Sequence, residues 1–209
     1  LLLSFSSCFE IIEELDLKKD KSGVFTYTLN MSASKLELNT MFKLDSFKGK
    51  DIPSKDEIST EMDEAIRLIK TNPGIKSASY TKNWEDYVFV FKVSFDSIVA
   101  LNKAMGSTYT SLSEEKLKLK DRLLMDNGIL KRISSLDSLS LFRKLNSKDV
   151  EGLAKATYTC VYRFEEKVES VSNKKAKKSK SEKAVMLRSD IKSLLNKETT
   201  LRNEIKFTP

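Results

Sequence analysis

Two thiols and several groups of carboxylates are the side chains in this 209-residue sequence best suited to chemistry, and histidine is absent. Without an imidazole the chain lacks the commonest general base, the Ser–His and Cys–His nucleophile pairs and most zinc sites. Two cysteines, Cys8 and Cys160, cannot make a four-thiolate metal site. Cys160 lies in Thr157–Phe164, on one face with Tyr158, Tyr162 and Phe164. A thiol in that setting reads as a small core hydrophobe, or else as a disulfide partner for Cys8. Acidic residues occur close together at Glu10, Glu13 and Glu14, and at Asp63 and Glu64. Paired carboxylates can cleave glycosidic bonds, but none of these sits in a glycine-rich or loop context that suggests a cleft. The sequence has no phosphate-cradling glycine loop, no G-x-S-x-G and no C-x-x-C. The expectation is a chain that is not an enzyme, with no catalytic residue, no metal and no cofactor.

Binding is the better-supported chemistry. Tyr87, Phe89, Phe91 and Phe95 fall with Val93 on one face of a strand. The four aromatics either line a site for a lipid or other apolar ligand, or form the sheet face packed under helices. The net charge of +7 is local. Between Asn173 and Lys183, six lysines against Glu182 carry +5 of it, so the rest of the chain is nearly neutral. Lys174, Lys175, Lys177, Lys178 and Lys180 could contact anionic lipid headgroups. Otherwise they form a solvated hairpin tip that keeps a sheet edge from pairing. No aromatic residue interleaves with them, so there is no stacking platform, and nucleic acid is not an expected partner.

The elements that must position these residues are legible from periodicity. Residues 9–18 alternate, with Phe9, Ile11, Leu15 and Leu17 on one face; Glu13 breaks that face. Residues 24–31 alternate again, and Asp20-Lys21-Ser22-Gly23 between the two runs predicts a β-hairpin. A helical stretch follows at about 33–45. Ser54 with Glu57 makes a capping box for a second helix, in which Ile58, Met62, Ala65, Ile66 and Ile69 recur to about Lys70, before Asn72-Pro73-Gly74 stops it. Ile75–Thr81 and Asp86–Phe95 read as strands with Trp84 in the turn. Asp96 is placed to cap a short helix bearing Ile98, Leu101 and Met105. Asp126-Asn127-Gly128 suggests another hairpin, and 136–154 is expected to be helical in part. Thr157–Phe164, extended by Lys167–Val171, is a strand, and Ala184–Arg188 returns beside it. Ser189 or Asp190 caps a helix, Ile191–Asn196, before a last strand at Leu201–Phe207. The expected fold is α+β: a curved antiparallel sheet built from N- and C-terminal hairpins, with two to four helices packed on one face. Residues 107–155 read as a variable insert.

At the amino terminus, Leu1-Leu2-Leu3-Ser4-Phe5-Ser6-Ser7-Cys8 runs from apolar residues through small ones to a cysteine. Phe5-Ser6-Ser7-Cys8 resembles the lipobox of bacterial lipoproteins, with Phe5 where leucine is usual. That resemblance implies a residual signal peptide over 1–7, a mature domain over 8–209, and palmitate-like acyl chains on Cys8 that anchor it to a membrane. A strand follows Cys8 almost at once, so the domain would sit against the bilayer. The acidic turn Asp20-Lys21-Ser22-Gly23, then Phe25-Thr26-Tyr27-Thr28-Leu29, then Thr157–Phe164, the lysine-rich hairpin and the strand–helix–strand finish together resemble LppM-type envelope lipoproteins and uncharacterised lipoproteins of Bacteroidota. Glu165-Glu166 stand where the LppM type commonly has a proline-containing turn. The resemblance implies a curved α+β sheet, a place in the cell envelope and lipid-like ligands; it brings no catalytic residues. The expectation is therefore a non-catalytic bacterial envelope lipoprotein that binds a lipid or other apolar ligand at the membrane surface. The alternative is a structural or assembly subunit of an envelope protein complex. Either would be anchored to the inner or outer membrane. The residues after Cys8 do not form a compact acidic export signal, which favours a face toward the periplasm.

Overall fold

The computed structural model describes residues 9–47, 50–112, 122–133, 150, 153 and 155–208. Strands β1 (Glu10–Leu17) and β2 (Gly23–Asn30) form the expected hairpin, with Leu15 opposite Phe25 and Leu17 opposite Gly23. Its turn is held by the Asp20 carboxylate, which accepts from the Ser22 amide at 2.9 Å and the Ser22 hydroxyl at 2.7 Å. Gly23 is needed for close approach, not for an unusual dihedral. A Cβ there would lie 2.4 Å from the Asp16 carbonyl oxygen and 2.9 Å from the Phe95 ring.

After β2 come a 3-10 turn (Ser32–Ser34), helix α1 (Lys35–Met41) and a small ladder, β3 (Ser46–Phe47) with β4 (Lys50–Asp51). Helix α2 (Lys55–Lys70) starts at the predicted capping box: Ser54 Oγ accepts from the Glu57 amide at 3.2 Å, and the Glu57 carboxylate accepts from the Ser54 amide at 2.8 Å. Strands β5 (Ile75–Asn83) and β6 (Val88–Phe95) lead to helix α3 (Ile98–Leu112). That helix is longer than expected, and its cap is Ser97, not Asp96. Ser97 Oγ accepts from the Ala100 amide at 3.2 Å, whereas Asp96 is drawn away to Lys76 at 2.9 Å.

Strands β7 (Leu123–Asp126) and β8 (Ile129–Arg132) make the second predicted hairpin. Asn127 and Gly128, at φ +46° and +74°, supply the left-handed pair that a two-residue turn requires. The chain ends with β9 (Thr157–Phe164), β10 (Val168–Val171), β11 (Lys177–Lys178), β12 (Ala184–Asp190), helix α4 (Ile191–Leu195) and β13 (Asn203–Phe207). Asp190 caps α4 by accepting from the Ser193 amide at 2.7 Å. The stretch expected to be partly helical, 136–154, falls almost wholly outside the described residues.

The fold is α+β. A seven-stranded sheet has the order β11-β12-β9-β1-β2-β6-β5, and a four-stranded sheet the order β10-β13-β8-β7. The large sheet is antiparallel except where β1 lies parallel to β9. That contact joins the N-terminal hairpin to the β9–β12 pair. Strand β10 does not extend β9 as its sequence suggests. The chain breaks at Glu165-Glu166, where Glu165 accepts from the Lys19 amide and Glu166 pairs with Lys21. It then enters the second sheet beside β13, with Val168 buried.

One face of the large sheet is the core wall. Helix α2 lies on β5, and α3 on β5 and β6. The small sheet faces β1 and β9, with Phe207 set edge-on to Phe164 at 4.9 Å. Ile11, Leu15, Phe25, Val93, Tyr158, Tyr162, Leu130 and Ile205 belong to one continuous cluster. Registers place Leu187, Cys160, Glu13, Tyr27, Phe91 and Tyr80 in a single row across five pairings on this face. One member of that row is a carboxylate.

Candidate functional site: a buried carboxylate between two sheets

Glu13 is the residue that interrupts the apolar alternation of β1, and it is fully buried. Strand period 2 forces it inward with Ile11, Leu15 and Leu17. Bare burial of an ionised carboxylate is prohibitive, so partners must come with it. Strand β9 supplies Tyr158 and Tyr162, two residues either side of Cys160, which stands opposite Glu13. The Tyr158 hydroxyl donates to Glu13 Oε2 at 2.6 Å, and the Tyr162 hydroxyl donates to Oε1. The small sheet supplies the counter-charge. Arg132, the last residue of β8, donates from Nε to Oε1 at 3.2 Å and from Nη2 to Oε2 at 3.1 Å, a two-pronged pairing that suits a planar fork. Arg122, just ahead of β7, brings Nη1 to 3.9 Å from Oε2 and lies over the Tyr27 ring at 5.9 Å. Asn102 on α3 holds that strand entry, donating to the Leu123 carbonyl at 2.5 Å and accepting from the Arg122 amide at 3.3 Å.

The electrostatics follow from these contacts. Burial pushes the Glu13 carboxyl up, but Arg132, Arg122 and the two tyrosine hydroxyls outweigh it and bring the value down to about 2. Glu13 is thus held ionised. Burial pushes the Cys160 thiol up to about 12, with the Glu13 charge adding to the rise against Arg132. Burial likewise raises the Tyr158 and Tyr162 hydroxyls well above their ordinary range. No member of the cluster is poised to exchange a proton near neutrality, and the thiol is not a nucleophile there. What the arrangement can do is fasten one sheet to the other. Beside it is a void of about 10 Å³ lined by Cys160, Tyr162, Leu187 and Leu201, among others. Also bordered by Arg132, a cavity of about 450 Å³ is lined by Lys131, Ile133, Ser172, Arg202, Asn203 and Glu204. Its lining mixes charged and polar groups with apolar surface in nearly equal parts.

The residues singled out from the sequence fall elsewhere. Tyr87, Phe89 and Phe95 are at most 2% exposed, and Phe91 is half-buried. Tyr87 precedes β6, stacks on Phe42 at 5.9 Å and donates to Asn39 Oδ1 at 2.6 Å. Phe89 meets Trp84 edge-on at 4.9 Å, and Phe91 stacks on Tyr80 at 5.7 Å. Three of the four rings thus pack on other aromatic side chains, and Phe95 is fully buried. Lys174, Lys175, Lys177, Lys178 and Lys180 are exposed, and Lys177 and Lys178 form the edge strand β11. Lys178 Nζ donates to the carbonyls of Val168 and Glu169 at 3.2 and 3.1 Å, so the edge is tied back to β10. Cys8 lies outside the described residues. The other grouped carboxylates separate: Glu14 pairs with Arg163, Glu10 with Arg188, Glu64 with Arg67, and Asp63 accepts from Tyr80. Among the described residues no group of three or more His, Cys, Asp or Glu could hold a metal ion.

These features define a class of protein: an α+β domain of open, curved sheets whose most elaborate polar site, among the described residues, is a charge lock at the joint between them. No family model and no curated protein matches the chain. Among solved structures it is similar to the folded domain of LppM from Mycobacterium tuberculosis, determined by NMR, at 11% identity and a TM-score of 0.48 over 96% of this chain and 91% of that one. Among the described residues no helix is long and apolar enough to cross a membrane.

Proposed function

We propose that this chain is a non-catalytic bacterial envelope lipoprotein, held at the membrane by acyl chains on Cys8, whose domain docks a partner protein at the membrane surface. The observation that carries the reading is the position of β1. It begins at Glu10, two residues after Cys8, and lies in the middle of the large sheet. Acyl chains on Cys8 would therefore bring the bilayer directly against one end of that sheet. The absence of catalysis is supported by the state of Glu13 and Cys160, one locked in its charged form and the other in its neutral form.

Docking is favoured over carriage of an apolar molecule because Tyr87, Phe89 and Phe95 are filled core. Among the described residues, β5 is an edge strand of nine residues with Ser77, Ser79 and Thr81 exposed. Such an edge offers unpaired backbone groups to an added strand. The test is expression of the precursor in a bacterium, with membrane fractionation and intact mass of wild type and Cys8→Ala. Wild type is expected in the membrane fraction with the added mass of acyl chains, and Cys8→Ala in the soluble fraction. Equal partitioning of the two would overturn the anchor. Saturable binding of a fluorescent fatty acid by the Cys8→Ala chain would restore the apolar-ligand role.

A further inference from the structure

The end of the sheet at which β1 begins carries its own apolar equipment. Glu10 pairs with Asn30, so the chain leaving β2 emerges beside the chain arriving from Cys8, about 5 Å away. The segment from Met31 to Phe47 continues from that end. It is fixed there by the Met31 amide donating to the Tyr87 carbonyl at 3.0 Å and by Lys35 pairing with Asp86 at 3.0 Å. Helix α1 buries none of its residues. Leu36 is 80% exposed, Leu44 47% and Phe47 39%. Six large hydrophobics are exposed among the described residues, and these three fall within twelve positions, so the exposure is concentrated rather than scattered. Lys43 is exposed between them. Lys55 lies 5.0–5.6 Å from the ring centroids of Phe42, Trp84 and Tyr87, which pins the segment to the start of α2.

We infer that this segment is a membrane-insertion surface. Leu36, Leu44 and Phe47 enter the interface of the same bilayer that takes the Cys8 acyl chains, with Lys43 at the headgroup level. Exposed apolar side chains with a lysine among them suit an interfacial bilayer contact, in which apolar groups enter the acyl boundary and a cation meets anionic lipid. Strand β1, whose first residue Glu10 is two positions after Cys8 in sequence, neighbours the strand that delivers the segment, so the anchor proposed above selects the bilayer over a second copy or a protein partner. The inference rests on the anchor proposed above for its biology. Its test does not need the anchor.

The experiment uses the full-length Cys8→Ser chain, which cannot be acylated, with vesicles of phosphatidylethanolamine and phosphatidylglycerol at 3:1. The chain is expected to float with vesicles. The sole tryptophan, Trp84, packs against Phe42 at 6.0 Å and should be quenched by brominated acyl chains. The combined Leu36→Glu, Leu44→Glu and Phe47→Glu variant should lose at least about tenfold in apparent lipid affinity. Val99→Glu changes a residue that is 75% exposed at the start of α3, beyond the opposite end of β6, and should change nothing. Unfolding midpoints of all variants should match the parent, since none of the four side chains is core. Failure of the parent to float, or equal flotation of the triple variant, would overturn the inference. So would a self-associated parent that the triple variant dissociates without any lipid binding. Wild type recovered from the bacterium without acyl mass, together with flotation of the Cys8→Ser chain, would sink the anchor and leave this surface standing.

Discussion

Replacing Glu13 by Gln is the sharpest probe of the charge lock. The amide keeps the size of the side chain and removes its charge. One of the two positions that now accept hydrogen bonds becomes an NH2 donor. It would face a tyrosine hydroxyl and a guanidinium N–H that both also need an acceptor. Arg132, only 4% exposed, loses the Glu13 charge. Removing one partner of a buried pair costs about 3–5 kcal/mol. For a chain of 209 residues, at about 2–4 °C per kcal/mol, that is a fall in Tm of roughly 6–20 °C. The reverse truncation, Arg132→Met, should cost less, because Arg122 remains 3.9 Å from the carboxylate. The pair Glu13→Leu with Arg132→Met should be closer to the parent than Glu13→Gln alone, since an apolar pair of similar volume needs no desolvation of charge. Urea unfolding followed by circular dichroism measures all three, with an unchanged slope as the condition for comparing midpoints. A Glu13→Gln loss below about 1 kcal/mol, or costs that add in the double variant, would refute the account of the lock as a coupled unit.

Three further outcomes are expected. The folded Glu13 value of about 2 lies below the ordinary 4.5, so its contribution is complete above about pH 4.5 and is lost as pH falls through about 2. Over that window the parent should lose on the order of 3 kcal/mol more than Glu13→Gln does, read from urea midpoints at stepped pH; parallel acid limbs would contradict it. In the Cys8→Ala chain, the buried thiol of Cys160 should react with a maleimide at pH 8 only as fast as the protein unfolds, and rapid labelling without denaturant would show the site to be open. Gly23→Ala should destabilise by about 1–3 kcal/mol, because its Cβ would press on the Asp16 carbonyl 2.4 Å away, and an unshifted urea midpoint would mean that β2 can yield there.

The elements of this fold were legible wherever local rules decide them. The alternation of β1, β2, β6 and β9, the capping box at Ser54 and Glu57, and the Asn127-Gly128 turn all depend on neighbours a few residues away. What could not be read was partnership at long range. Strand β10 looks continuous with β9, and only pairing with β13 removes it to another sheet. The aromatic stripe at 87–95 reads as a core wall or as a ligand wall, and the packing of its rings on Phe42, Trp84 and Tyr80 depends on residues outside the strand. Ser97 displaced Asp96 as a cap because Lys76, on a different element, took the carboxylate. The charge lock had one visible trace, the carboxylate that breaks the apolar face of β1. Its counter-ions are 109 and 119 positions away in sequence, at Arg122 and Arg132, inside the stretch that reads as a variable insert.

That a carboxylate occupies the centre of the core wall has a consequence for how the two sheets find each other. Apolar side chains on two facing sheets tolerate a slide of two residues, since period 2 restores the same faces and nearly the same buried area. A slide of two residues moves a strand by about 6.6 Å, far beyond the reach of a hydrogen bond. If β8 were displaced that far along β1, Arg132 and Glu13 would lose each other, and the Glu13 charge would keep only the tyrosine hydroxyls of β9. The penalty for that error exceeds the penalty for any single misplaced leucine. The tyrosines do the same work within the large sheet. Tyr158 and Tyr162 reach both carboxylate oxygens only because β9 runs parallel to β1 with Cys160 opposite Glu13. A register shift of β9 by two in either direction would leave one hydroxyl without its acceptor. Glu13 therefore specifies two alignments at once, β9 against β1 and the small sheet against the large one. A leucine at position 13 could hold the layers together but could not tell the correct alignment from its neighbours.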